Sequence, residues 1–227
     1  MLWLKAWLET RWRLVFALAM PLSALALIRA SGPDAPRDPN AMLGSVGFMC
    51  IFASIFLAGD GIQTQYVFQG RGVHGSIIFT LTLPVSRLRL LIVRTVCGLL
   101  ETVGLIAIVS CGIWLTPFPG NGSTLTDLLK MIVECCSFGI AVHLLSVFFA
   151  TFLDAAWQLV GTMFAVTALW FLDAHLNLPR SIDSFRLMVG DNPLVTHTLF
   201  WGRIAVSITL ALILFFAAAR FAQTREY

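Results

Sequence analysis

Long unbroken apolar runs set the pattern of this chain. Six recur: Trp12 to Ile28, Ala41 to Gly59, Leu90 to Leu115, Leu128 to Ala150, Ala155 to Leu172 and Leu199 to Phe221. A helix crosses bilayer hydrocarbon with ~20 apolar residues, and lipid offers no partner to an unpaired backbone N–H or C=O. Runs of this length therefore predict helices, whereas a barrel would need short alternating strands. The expected fold is all-α, a single polytopic domain over residues 1–227 with six transmembrane helices.

Ahead of the first run, Leu2, Trp3, Ala6 and Trp7 recur at helical spacing, and Lys5 and Glu9 stand four apart. An interfacial helix over 1–11 is expected there, because Trp favours the headgroup layer. A second reading of the same stretch is a secretory leader, with Arg11 and Arg13 before an apolar run and a small-residue site at Ala24-Leu25-Ala26. Its three tryptophans, Trp3, Trp7 and Trp12, are unusual for a leader.

Composition supports the membrane assignment. Hydrophobic residues are 58% of the chain, charged residues 12%, and mean hydropathy is +0.86, against about a quarter charged in soluble domains. Orientation follows from Lys and Arg. Lys5, Arg11, Arg13, Arg71, Arg87, Arg89, Arg94, Arg220 and Arg225 gather on one side of the expected topology. Across it lie Arg29, Arg37, Lys130, Arg180, Arg186 and Arg203, largely offset by Asp34, Asp38, Asp127, Asp183 and Asp191. Both termini and the loop over 60–89 are therefore expected in the cytoplasm, with the chain in the cytoplasmic (inner) membrane. A net charge of +3 without a dense basic patch argues against a nucleic-acid partner.

The outer connections differ in character. Ser31 to Asn40, with Pro33, Pro36 and Pro39, reads as a stiff link. Pro117 to Gly122 is a turn whose Asn121-Gly122-Ser123 also fits a glycosylation sequon. In Asn177 to His197, Leu178, Ile182, Phe185, Leu187 and Met188 interleave with polar residues, predicting a short amphipathic or re-entrant helix at the outer face.

Soluble-enzyme chemistry finds little support. The only lysines, Lys5 and Lys130, follow no glycine-rich loop, so the chain has no Walker motif for ATP. Neither H-E-x-x-H nor G-x-S-x-G occurs. Asp60-Gly61 begins an acidic signature of lipid-headgroup transferases, but the later aspartates do not follow. Cys50, Cys97, Cys111, Cys135 and Cys136 fall inside apolar runs without metal-ligand spacing and read as packing residues. No catalytic, cofactor-binding or metal-binding set is expected.

Ionisable residues within spans cost a few kcal/mol unless they find a partner or water, so they mark candidate sites. Glu101, Glu134 and His143 are the intramembrane candidates, with Asp173 at the outer end of the fifth run. Glu101 lies seven residues beyond Arg94 and His143 eight before Thr151, ~10 and ~12 Å along antiparallel helices. A hydrogen bond or ion pair between them is therefore expected to be within reach. Polar groups simply satisfied by neighbouring helices are the alternative.

The cytoplasmic loop carries the most informative stretch, Gly75 to Arg94. Ser76 can cap a helix, and Pro84 stops it, leaving about two turns whose Ile, Phe and Leu side chains call for a docking partner. Leu-Pro-Val-Ser-Arg follows at Leu83 to Arg87, and Arg87, Arg89 and Arg94 are placed to meet lipid headgroups.

In this segment the chain resembles the membrane-spanning subunits of type-2 ABC exporters. Gly75, Ser76, Leu83, Pro84, Val85, Ser86 and Arg87 match the family pattern in order, and the six-span layout with its interfacial helix covers the whole chain. Arg71-Gly72-Val73-His74 departs from it, where an acidic residue is common. The resemblance implies a cytoplasmic coupling helix that docks on a separate ABC ATPase, with Gly75, Ser76, Phe79, Thr80, Leu83, Pro84, Ser86 and Arg87 as the coupling residues. It further implies two ATPase copies carrying ATP and Mg, a second or homologous permease, and alternating access. An intramembrane enzyme using Glu101 and His143, or a passive scaffold, are the rival classes.

Overall fold

A computed structural model describes residues 2–30, 39–58, 87–116, 123–153, 155–176, 178–188 and 191–224. Among these residues the chain is helical and contains no strand: α1 (Leu2–Ala30), α2 (Pro39–Leu57), α3 (Arg87–Trp114), α4 (Leu125–Ala150), α5 (Ala155–Leu176), α6 (Pro193–Thr196) and α7 (Trp201–Thr224), with a 3-10 turn at Ser184–Met188. Three stretches, Leu91–Trp114, Leu125–Ala150 and Trp201–Thr224, are long and apolar enough to cross a membrane. Shorter apolar segments occur at Arg13–Leu27 and Gly44–Leu57. This is an all-helical, membrane-embedded protein.

The expected boundary between an interfacial helix over 1–11 and a first span is not a break, because α1 runs without interruption from Leu2 to Ala30. Its opening turns carry exposed Trp3 and Trp7. Pro21 lies inside α1, where it has no N–H to give the carbonyl four residues earlier; that residue, Ala17, is fully packed.

Cross-helix contacts show that consecutive long helices alternate in direction. Leu25 lies beside Gly112, and Arg29 Nη2 donates to Leu115 O at 3.0 Å, so α1 runs alongside α3. Ile106 meets Gly139 while His143 meets Gly98, which makes α3 and α4 antiparallel. Gln158 Nε2 donates to Ser146 Oγ at 3.0 Å, and Val166 packs with Val142, so α5 returns antiparallel to α4. α7 follows α4 in parallel, from Glu134 and Arg203 at one end to Val147 and Ala218 at the other.

α4 is the hub, packed on α2, α3, α5, α6 and most extensively on α7. Lipid is as apolar as a leucine side chain, so burial alone does little to join such helices, and close van der Waals packing through small residues does more. The α4–α7 seam follows that rule with Ala141, Ala211 and Ala218, all nearly fully buried. Five helices meet in the largest core cluster, where Ala17 and Leu25 of α1, Val46 and Ala53 of α2, Leu105 and Val109 of α3, and Leu194 of α6 join Met131 of α4.

The segment expected at the outer face is not one amphipathic helix. Asp183 accepts from the backbone N–H of Phe185 and Arg186 at 3.0 and 3.2 Å and so organises the 3-10 turn. Asn192 then caps the single turn of α6, accepting from Leu194 N at 2.9 Å with Pro193 at the first helical position. His197 ends that turn in the left-handed region, at φ 54°. Each cap starts a fresh short element, which is why the described residues 178–188 and 191–197 do not form one helix.

Gly202 allows α7 to begin directly under this segment, since a Cβ there would overlap the carbonyl oxygen of Ser181. Backbone cannot swing aside as a flexible side chain can. Gly202→Ala is expected to destabilise the protein by about 1–3 kcal/mol, measured as a lowered thermal midpoint in detergent, while Gly104→Ala, whose Cβ would meet nothing within 4 Å, leaves it unchanged.

Candidate functional site: buried polar groups between the helices

At the end of the bundle where α4 and α7 begin, Arg203 and Glu134 are 1% and 0% exposed, the most deeply buried charged pair among the described residues. Arg203 Nη1 stands 3.4 Å from Glu134 Oε2 and donates to Asp191 O at 2.9 Å, while Nε donates to Arg180 O at 3.0 Å. Nη2 faces Asp191 Oδ2 at 3.6 Å, and the guanidinium lies 4.2 Å above the Phe200 ring. The other oxygen of Glu134 accepts from Phe200 N, so the carboxylate holds the start of α7 twice. The planar guanidinium suits this role because its donors point in several directions at once.

A second, more exposed group stands nearby. Thr124 and Asp127 form a reciprocal capping box at the start of α4, with Thr124 N donating to Asp127 Oδ2 at 3.0 Å. Asp127 also pairs with Lys130 Nζ and His197 Nδ1, both at 2.9 Å, and Lys130 Nζ donates to His197 O at 2.8 Å. Arg186 pairs with Asp183 at 2.7 Å. These contacts and the Glu134–Arg203 pair tie the segment after α5 to α4 and α7.

Deeper in the bundle, His143 is 1% exposed and its Nδ1 lies 3.2 Å from Thr102 Oγ1. The expected Glu101–His143 pair does not form. His143 faces the Gly98 and Thr102 strip of α3, whereas Glu101 lies on the adjoining strip with Cys97, whose thiol approaches Glu101 Oε1 at 3.9 Å. The depths match and the azimuths differ by one residue, about 100° around the helix. Gly98 makes room for the ring: a Cβ there would come 2.7 Å from His143 Cε1 and 3.1 Å from Leu57 O. Buried Ser146 and Gln158 extend the polar seam toward α2 and α5.

Sequence reasoning singled out Glu134 and His143 but placed Arg203 in an outer loop and passed over Thr102, Gly98 and Gln158. The signal for Arg203 was present, since it falls inside the apolar run Leu199 to Phe221, where an ionisable group calls for a partner. Nothing in the chain distinguishes Thr102 or Gly98 from other small residues. The residues expected to couple to an ATPase, Gly75, Ser76, Phe79, Thr80, Leu83, Pro84 and Ser86, lie outside the described residues, and Arg87 opens α3 without a described side chain.

Two cavities lie among the helices. One of about 60 Å³ lies between α2, α3 and α4 with Leu187 and Asn192 at its edge, and one of about 270 Å³ lies between α4, α5, α7 and the segment over 178–185. Neither Glu101 nor His143 lines them. No group of metal-ligating side chains occurs among the described residues. Comparison with protein-family models, curated proteins and solved structures returns no match to this chain.

Removing one member of a buried pair strands the other and costs about 3–5 kcal/mol, while replacing both costs far less. Glu134→Gln and Arg203→Met are each expected to lower the thermal midpoint strongly in detergent, and the double variant to recover most of the loss in a double-mutant cycle. Additive losses would refute the coupling. Thr102→Val is expected to cost about 1–3 kcal/mol by leaving His143 Nδ1 without its partner, read by the same measurement.

Proposed function

We propose that this chain is the permease subunit of an ATP-driven type-2 ABC exporter, one that moves an amphipathic or lipid-like substrate across the cytoplasmic membrane. The observation that carries the reading is the ordered run Gly75, Ser76, Leu83, Pro84, Val85, Ser86 and Arg87 in the link that leads into α3 at Arg87. The alternating helix directions support it. They bring the start of α1, the end of α2, the start of α3 and the end of α7 to one end of the bundle, the end nearest Arg11, Arg13, Arg87, Arg89, Arg94 and Arg220.

In this reading the helix over 76–82 docks on a separate ATPase, which supplies ATP and Mg. Nucleotide binding draws two such ATPases together, and the movement passes through Pro84 into α3. That helix is a rod of 28 residues in contact with α1, α2, α4 and α7, so displacement at its base reaches the bundle. The shift in conformational population must come from the difference in ATP affinity between the closed and open states. A second copy, or a homologous permease, completes the pathway, and both termini lie in the cytoplasm.

The intramembrane-enzyme reading has less support. The His143 ring is lodged between Gly98, Thr102 and the carbonyl end of α2, and it lines neither cavity. A catalytic pair would need room for a reacting atom beside it.

Affinity-tagged chain extracted in mild detergent is expected to retain an ATP-hydrolysing subunit with Walker and signature motifs. Phe79→Ala combined with Arg87→Glu should weaken that retention roughly tenfold or more, as when an aromatic anchor and a charge are lost from an interface. Retention of no ATPase by the wild-type chain, or unchanged hydrolysis in the variant complex, counts against the exporter reading.

A further inference from the structure

We propose that the cavity between α4, α5 and α7 is a binding site for a single-chain cationic amphiphile, its chain in the cavity and its head on Asp173. This does not rest on the exporter reading, because binding is a property of the chain alone.

Size and lining select the chain. At about 270 Å³ the space exceeds an engineered cavity of ~150 Å³ that takes benzene and stays below the ~300–1,000 Å³ of drug-sized sites. One alkyl chain fits and two do not. Phe138, Leu145, Leu169 and Leu210 are among its walls, and such a surface gives a water molecule no set of partners. The wall hydroxyls of Ser184 and Ser207 lie 3.2 Å apart and satisfy each other. Leu169 and Leu210 are 41% and 38% exposed, so the space opens sideways on faces of α5 and α7 that meet lipid. An amphiphile already dissolved in the bilayer reaches it without crossing water.

The polar end selects the head. Asp173 and Asp183 both line this cavity. Asp183 is committed: Oδ1 accepts from Phe185 N and Arg186 N, and Oδ2 from Arg186 Nε at 2.7 Å. Asp173 differs. Its Oδ1 is shielded from solvent with no N–H or hydroxyl donor directed at it; its carboxyl group lies beside that of Asp183, and Arg186 acts on it only from beyond ion-pair distance. Around this end Glu134, Asp191 and Asp183 have Arg203, Arg180 and Arg186 as cationic partners, which leaves a negative excess shared by the neighbouring Asp173 and Asp183 carboxyl groups. A primary ammonium supplies the missing donor together with the opposing charge. A carboxylate or phosphate head would set like charges together, so the site discriminates by sign.

The test uses the full chain in phosphatidylcholine nanodiscs and three photoreactive probes with the same twelve-carbon diazirine chain: an amine, an alcohol and a carboxylic acid. Peptide mapping should find the amine on α4, α5 or residues 178–188, at roughly ten times the yield of the acid, the size of a charge-assisted hydrogen bond. Leu210→Trp, which fills the space from its exposed side, should abolish labelling by amine and alcohol alike, and Leu169→Trp should do so independently. Asp173→Asn should bring the amine down to the level of the alcohol, and Asp173→Glu should restore its advantage. Equal labelling by amine and acid, labelling that survives both tryptophan variants, or a wild-type cavity closed to all three probes by resident lipid would overturn the proposal.

Discussion

A guanidinium ion held away from water and lipid must be satisfied by protein, and the end of this molecule where α4 and α7 begin is arranged around that requirement. Arg203 meets most of it with the Glu134 carboxylate, the carbonyls of Arg180 and Asp191, and the face of Phe200, while Nη2 makes only the 3.6 Å ion-pair contact to Asp191. Those groups come from α4, from the segment after α5 and from the approach to α7. One side chain therefore fixes the relative position of three parts of the chain far apart in sequence. Gly202 must be small because the arrangement draws the Ser181 carbonyl onto the first turn of α7.

The rest of the bundle follows the usual physics of helices in lipid. Alanines and glycines let α4 lie close to α3 and α7, and the side chains of Ser146 and Gln158, and of Thr102 and His143, meet in pairs within the bundle. The two kinds of polar cluster differ in purpose. Asp127, Lys130 and His197 join a helix start to a loop near the water boundary, while Thr102 and His143 sit in the interior, where the ring occupies a notch that only glycine at position 98 leaves open.

The helices were legible because unbroken apolar runs have only one low-energy form in lipid. Each of the six runs lies within or almost within a helix, from Trp12 to Ile28 inside α1 to Leu199 to Phe221 over α7. Continuity between the amino-terminal turns and the first run was not legible, since a Trp-rich amphipathic stretch can lie flat or continue upward with the same composition. Glu134 announced itself by its charge. Its partner did not, because charge counting treats an arginine near a helix start as a loop residue whatever it touches. For Glu101 and His143, axial depth could be reckoned from residue counts, but the rotation of α3 about its own axis depends on packing that no single helix encodes.

Pro21 has a mechanical consequence. Bending a regular helix stretches or breaks hydrogen bonds, and the resistance to bending comes from them. In α1 the bond that Ala17 would accept is absent from the outset, so curvature at this point meets less opposition than anywhere else along the 29 residues. Packing takes over where that bond is missing: Pro21 is fully buried, and Leu14, Ala17 and Leu18 just before it sit in the core with α2, α3 and α4.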